Sequence, residues 1–494
     1  MNQRARSAVF ITVDCLRADH LGHLGYKRPT TPFLDCLAKE SIVFRNAIAA
    51  GTPTYYALPA LLSSRYPLAL GRDLIGIAPD KSTLASVLKE SGFTTAAFTA
   101  ANPYISARFG YEQGFDVFCD FLHGHELESQ PSVQRTSGLR SHANRFVSKL
   151  CHALPPLGSA YDEVYFHYGQ RRGTGGDDSL DSLRRFPSAD VVVDRALRWL
   201  NENSGHPFFL WIHLMDPHAP YFPKSEALEY MGDGHITAAE ARYLNSYWCR
   251  RDLGQKRLEK KRSHIIELYD AGIRWADEQI RRLTERLVEL NLWDQCAMAV
   301  TADHGEEFLD HGGRFHAPVK LTEELIHVPL LVRVPGFAHA EVEHPTSLVN
   351  LAPTLLEILD IPSPADFRGR SCWAKFGDPA SERPAITEAV YGCSNPFHRE
   401  SRSSPRILAV RKGNHKLVMD FSSGVEQLFD LNADPCESTP LAHGTARSER
   451  KELLEIARKH VAESHKSRDF DRRNATLLRD LRLEWAHPAA SAPN

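Results

Sequence analysis

The sequence predicts an α/β fold: a mixed, mostly parallel sheet flanked by helices, followed by a small C-terminal subdomain built on an antiparallel sheet. Three observations carry that expectation. Short apolar, β-branched runs (residues 8–13, 94–100, 208–213 and 297–302) alternate with longer amphipathic segments, the rhythm of βαβ units. That rhythm implies strands covered by helices on both faces. Two of the runs also end on ionisable side chains, Asp14 and the pair Asp303-His304. They would stand at the carboxyl edge, where sheets of this kind bind their ligands.

After the first strand, Thr31 to Ser41 reads as a helix leading into a short strand, Ile42-Val43-Phe44. Thr83 to Ser91 reads as an amphipathic helix stopped by Gly92, and Thr94 to Ala100 as the next strand. Residues 121–190 change character: the run from Gly173 to Ser179 and a mixed charge predict a variable insertion with a mobile loop. A core strand returns at Phe208 to His213. The basic run Arg250 to Arg262 is expected to be a solvated face or loop rather than an anion-binding surface. Ile265, Leu268, Ile273, Ala276, Ile280 and Leu287 recur at helical spacing, so a helix over 265–290 feeds the strand ending at Asp303. Val328 to Val332 gives another strand, and a helix from Asn350 to Leu359 closes a main domain of residues 1–384. Short strands at 407–410, 416–419 and 427–431, with a terminal helix, place the smaller subdomain at 385–485. The Ala-, Pro- and Ser-rich stretch 486–494 is expected to be a disordered tail.

Bulk properties narrow the class. A chain of 494 residues can bury a large core. A formal net charge of −3 gives no bulk reason to expect nucleic-acid binding. The nine cysteines are scattered with no C-x-x-C pair, which predicts reduced thiols in a cytosol-like compartment. No apolar run approaches the roughly 20 residues that cross a bilayer, and the first strand leaves no room for a cleavable signal. A cytoplasmic protein without a membrane span is expected.

Chemistry concentrates at three places. A hard divalent cation wants carboxylate oxygens and an imidazole held where strands end, and Asp14, Asp303 and His304 meet that need. A lone strand-end Asp more often caps a helix or closes a turn; three such groups on one edge shift the balance. The stretch Gly51 to Pro59 opens a short helical run toward Ser63-Ser64-Arg65-Tyr66-Pro67. A hydroxyl at a helix start suits a nucleophile, because the helix dipole and a cation both favour its alkoxide. The plainer reading is that Thr52 or Thr54 is an N-cap.

Taken in order, these blocks resemble the sulfatase family of the alkaline phosphatase superfamily, in a variant with threonine at the nucleophile position. The likeness runs from Asp14-Cys15-Leu16-Arg17-Ala18-Asp19-His20 through Leu61-Leu62-Ser63-Ser64-Arg65-Tyr66-Pro67 and Met215-Asp216-Pro217-His218. It continues through Thr301-Ala302-Asp303-His304-Gly305-Glu306 to Gln427-Leu428-Phe429-Asp430. The resemblance implies an alkaline-phosphatase-like fold, one divalent metal ion (Ca, Mn, Zn or Mg), and Asp14, Thr54, Asp303 and His304 as its ligands. It also implies Thr54 as nucleophile, His218 and His316 as further catalytic groups, and Asn102 and Lys320 as substrate contacts. Family members proper convert a Cys or Ser within C/S-x-P-x-R to formylglycine. Here Thr54, Tyr56 and Leu58 fall on that signature, and Cys15 stands where many members have another metal-binding Asp. Formylglycine is therefore not expected. What remains implied is hydrolysis of a small-molecule or glycan sulfate or phosphate ester by in-line attack of Thr54. The alternatives are a phospho-group transferase acting on glycan or lipid acceptors, and a non-catalytic binding module.

Overall fold

The computed structural model describes residues 5–69, 76–79, 81–122, 179–232, 236–316, 320–373, 382–390, 405–421 and 423–464. Most of the expected insertion at 121–190 and the whole tail 486–494 lie outside the described residues.

An eight-stranded sheet runs through the main body in the order Ala340–Val342, Ile42–Phe44, Leu330–Arg333, Cys296–Ala302, Ser7–Val13, Phe208–Leu214, Thr94–Thr99, Val117–Cys119. The five strands from Cys296–Ala302 to Val117–Cys119 are mutually parallel, whereas Leu330–Arg333 runs antiparallel to both neighbours. Every residue of Ser7–Val13, Phe208–Leu214 and Cys296–Ala302 is buried. That is why these runs read as apolar throughout rather than alternating. Register then positions the site. Val13 lies opposite Leu214 on one side and Ala302 on the other, so Asp14 and Asp303 emerge together past one edge.

Helices cover the faces. The 35-residue helix Gln255–Glu289 packs against Pro32–Ala38, Ala189–Asn203, Ser225–Met231 and Ala238–Trp248. It begins ten residues before the periodic segment, so part of the basic run is helix rather than loop. Arg262 is tied to the Phe308 carbonyl and to Asp310. The expected strand 328–332 divides at Pro329. His327–Val328 joins Ala47–Ile48 in a separate three-stranded sheet, and Leu330–Arg333 joins the main one. A proline has no N–H to give to a ladder, so the change of sheet falls there.

The C-terminal sheet has four antiparallel strands in sequence order, Ala385–Val390, Arg406–Lys412, His415–Asp420 and Val425–Asp430. Its two faces show a period of two. Ala385, Ala389, Ile407 and Ala409 pack with Tyr55, Leu325 and Ile326 of the main body. Ile386, Leu408, Val410, Leu417 and Leu428 instead cover Leu453 and Ala457 of the helix over 447–464.

Candidate active site

The loops that follow four strands, Ser7–Val13, Thr94–Thr99, Phe208–Leu214 and Cys296–Ala302, converge with one helix start beyond the carboxyl edge of the sheet. Asp14 lies at the centre, fully buried. Asn102 donates from Nδ2 to Asp14 Oδ2 over 3.2 Å, and its own Oδ1 accepts from the Tyr104 amide at 3.0 Å. Thr54, the first residue of helix Thr54–Ser63, places Oγ1 3.4 Å from Asp14 Oδ2 and 3.1 Å from His304 Nε2. His304 Nδ1 is 2.8 Å from the Gly305 carbonyl, so Nδ1 carries the proton and Nε2 presents its lone pair to the site. Asp303 Oδ1 accepts from the amides of Cys15 and His304, at 3.3 and 2.9 Å.

Cys15 follows Asp14 with a φ of 61°, in the left-handed region that non-glycine residues rarely occupy. The Tyr269 hydroxyl, from the long helix, holds this turn: it donates to the Cys15 carbonyl at 2.7 Å and accepts from the Arg17 amide at 3.0 Å. His218 and His316 stand at the half-exposed mouth, with ring centres 5.2 Å apart. The structure thus brings Asp14, Thr54, Asn102, Asp303, His304, His218 and His316 into one cluster. Lys320 is held apart. Its Nζ lies 2.8 Å from both carboxylate oxygens of Glu307 and 3.1 Å from the His311 carbonyl.

Two groups escaped the sequence reading. His213 sits inside the strand Phe208–Leu214, with Nε2 3.3 Å from Asp14 Oδ2 and Nδ1 2.8 Å from Thr12 Oγ1. The Thr12 hydroxyl accepts from Trp211 Nε1, and its own proton has the Ile212 carbonyl at 3.4 Å and Nδ1 at the shorter 2.8 Å; given to Nδ1, it leaves His213 directing N–H at Asp14. An imidazole inside an apolar, fully buried strand was the available signal. Glu306, fully buried, follows Asp303 by three residues, and its Oε1 is 3.4 Å from His316 Nδ1.

The cluster is anionic at its base. Asp14, Asp303 and Glu306 are fully buried, and no lysine or arginine pairs with their carboxylates among the described residues. Burial pushes the Asp303 carboxyl above its usual range, and neighbouring Asp14 adds to that. Burial acts on Asp14 too, but His218, His213 and His304 outweigh it and hold that carboxyl well below the usual range. Asp303 Oδ2 has no hydrogen-bond partner among the described residues. Two adjacent buried carboxylates, one with an orphaned oxygen, fit a bound cation. Asp14, Cys15 and His304 each offer a donor atom, and the three atoms lie mutually within 4.8 Å.

The sequence model of the Sulfatase family matches residues 6–361. The chain belongs to the sulfatase family. A second model, of the C-terminal part of N-sulphoglucosamine sulphohydrolase, matches residues 314–464. The multifunctional alkaline phosphatase superfamily protein PehA of Trinickia caryophylli is 23% identical over 482 residues, covering 88% of this chain and 91% of PehA. Arylsulfatase K of Bos taurus is 27% identical over 290 residues; the match covers 51% of each chain, so this sulfatase aligns over about half of its own length. Among solved structures, one in complex with its substrate D-glucosamine-2-N,6-O-disulfate superposes with a TM-score of 0.67 at 18% identity, covering 94% of this chain and 98% of the other. Membership makes this sulfatase-family chain an enzyme of the sulfuric or phosphoric ester hydrolase class.

Proposed function

We propose that the protein is a metal-dependent hydrolase that cleaves a sulfate or phosphate ester of a small molecule or glycan by in-line attack of Thr54. The observation that carries this reading is the position of Thr54 Oγ1: at a helix start, buried, and within 3.4 Å of Asp14 and 3.1 Å of His304. Asp14, Asp303 and His304, with Thr54 Oγ1, would hold the cation, which when bound lowers the cost of charge on the nucleophile and on a non-bridging oxygen.

The chain's own groups account for the remaining steps. Thr54 Oγ1 gives up its proton to solvent and forms a bond to sulfur or phosphorus as the ester oxygen departs on the opposite side. The Asn102 amide, fixed by its hydrogen bond to Asp14, aligns the anionic group. His218 or His316 gives a proton to the departing oxygen. Water then attacks the threonine-linked group and releases sulfate or phosphate. The glycan side of the proposal is supported by the glucosamine disulfate bound in the superposed structure.

The test is turnover of nitrophenyl sulfate, a phosphate monoester and a phosphodiester after metal reconstitution. The expected result is hydrolysis of at least one ester by the wild type, abolished in Thr54→Ala and in Asp303→Ala. Full activity in Thr54→Ala would overturn the threonine mechanism.

A further inference from the structure

The buried strand Phe208–Leu214 carries one side chain that its apolar neighbours do not call for. An imidazole has two polar nitrogens, and burying either without a partner costs free energy. His213 finds partners for both, and the register of the sheet allows it. Thr12 lies directly opposite His213 on the adjacent strand, and Asp14 follows Thr12 just past that strand's end. The ring spans the two, with Nδ1 2.8 Å from Thr12 Oγ1 and Nε2 3.3 Å from Asp14 Oδ2.

This chain of contacts has a direction fixed at both ends. It starts at the Trp211 indole, a donor only, whose Nε1 gives its hydrogen to Thr12 Oγ1 at 3.1 Å. It ends at the Asp14 carboxylate, which when ionised only accepts. Between them the Thr12 hydrogen goes to His213 Nδ1, and His213 gives Nε2–H to Asp14. Trp211, Thr12, His213 and Asp14 are all fully buried. The two oxygens of Asp14 are left unequal. Oδ2 takes hydrogens from His213 and from Asn102 Nδ2 at 3.2 Å, with Thr54 Oγ1 at 3.4 Å. Oδ1 meets the weak S–H donor of Cys15 at 3.0 Å and faces His304 Nε2 from 3.8 Å.

We propose that His213 is a positioning residue: the relay from Trp211 through Thr12, together with Asn102, fills Asp14 Oδ2 and reserves Oδ1 for the cation. The role rests on Asp14 being a cation ligand, as proposed above, and not on Thr54 being the nucleophile. A carboxylate already tied down by one oxygen offers the other without first having to be ordered. Outer partners of this kind orient a metal ligand, and losing one weakens metal binding by about 10–100-fold.

The test titrates the full-length, chelator-treated protein with Mn(II) by calorimetry, in the wild type, His213→Leu and His213→Gln. Glutamine carries an N–H about as far from the backbone as the histidine Nε2; leucine has none to give. The expected Kd rises about 10–100-fold in His213→Leu and stays within about threefold of the wild type in His213→Gln. Thermal midpoints of the metal-free proteins are read beside it, because a purely structural histidine would lower them and leave Kd alone. A second reading needs no metal: nuclear magnetic resonance of isotope-labelled histidine nitrogens, with the His213 signal assigned by its absence from His213→Gln. The hydrogen is expected on Nε2, with Nδ1 bare, and this decides the relay even if His213→Leu does not fold. A hydrogen found on Nδ1, an unchanged Kd in His213→Leu, or a His213→Gln as weak as His213→Leu overturns the proposal. A wild type that binds no Mn(II) removes Asp14 from the cation ligands and the positioning role with it. Normal binding in the wild type and equal binding in His213→Leu removes the positioning role alone.

Discussion

Two buried clusters of charge in this molecule are assembled in contrasting ways. Under the C-terminal sheet, Lys416 is fully buried with Nζ 2.9 Å from Glu323 and 2.7 Å from Glu437. Arg411 pairs with Glu323 as well, and Glu437 also accepts the Glu323 amide at 2.7 Å. Two acids there meet two bases. At the carboxyl edge of the main sheet, the basic groups that meet Asp14, Asp303 and Glu306 among the described residues are all imidazoles. The first cluster neutralises itself and ties the subdomain to the main body. The second carries an excess of negative charge that only something from outside can balance, which is how a ligand site differs from a structural ion pair.

The largest test of that contrast is Thr54→Ala. Losing a nucleophile costs about a thousand-fold in kcat or more. Because Thr54 takes no part in balancing charge, the thermal midpoint should hardly move. A large fall in stability with turnover unchanged would make Thr54 a structural cap instead.

Lys416→Met should do the opposite. It leaves Glu323 and Glu437 buried with one cation between them, and breaking a buried pair costs about 3–5 kcal/mol, read by urea unfolding. The pH dependence has a definite sign. Burial alone would raise the Glu323 carboxyl, but Lys416, Arg411 and His327 hold it down at about 2, against an ordinary 4.5. Its stabilising contribution is complete above the ordinary value and drains away as pH falls from 4.5 toward 2. Glu437 is pushed upward by burial and takes its proton first. Acid unfolding followed by circular dichroism should therefore begin at a higher pH in Lys416→Met than in the wild type. Coincident acid transitions would show that the pair contributes nothing.

At the site, neutralising an acid should not hurt the metal-free fold. Asp303→Asn removes repulsion with Asp14, so the chelator-treated variant should unfold at the same temperature as the wild type or higher. Saturating cation should then stabilise the wild type alone, by about 2.7 kcal/mol at a hundred times Kd. A cation-induced thermal shift of equal size in Asp303→Asn would remove Asp303 from the ligands.

The same division explains what could be read from the sequence. Asp14, Asp303 and His304 were legible because they end buried strands, and register alone brings strand ends together. The residues alone left Thr52 and Thr54 open, and it was the family resemblance, counted back from Arg65-Tyr66-Pro67, that singled out Thr54. His213 was not, because inside Phe208–Leu214 it reads as one more member of an apolar run. Glu306 was not, because its environment depends on His316, which a loop carries back from ten residues further on. The helices Ser225–Met231 and Ala238–Trp248 were not marked by the sequence: each is short, and both pack against Gln255–Glu289. Local pattern showed the core strands, and long-range packing decided the rest.

Lys320 gives the smallest effect and the finest test of the comparison. It lies in sequence where the resemblance implies a substrate contact, yet its ammonium is occupied by Glu307, whose side chain is 3% exposed against 28% for the lysine. Glu307 Oε1 also accepts the amides of His311 and Gly313, at 3.0 and 2.7 Å. Lys320→Met would therefore leave that carboxylate still hydrogen-bonded, and the loss should be about 1 kcal/mol or less. If Lys320 serves structure, as Lys416 does, kcat and KM should stay within about twofold while stability falls slightly. If it leaves Glu307 to meet the substrate's anionic group, KM should rise about tenfold with stability unchanged, the equivalent of about 1.4 kcal/mol of binding. The split between KM and thermal midpoint therefore decides to which of the two kinds of charge Lys320 belongs.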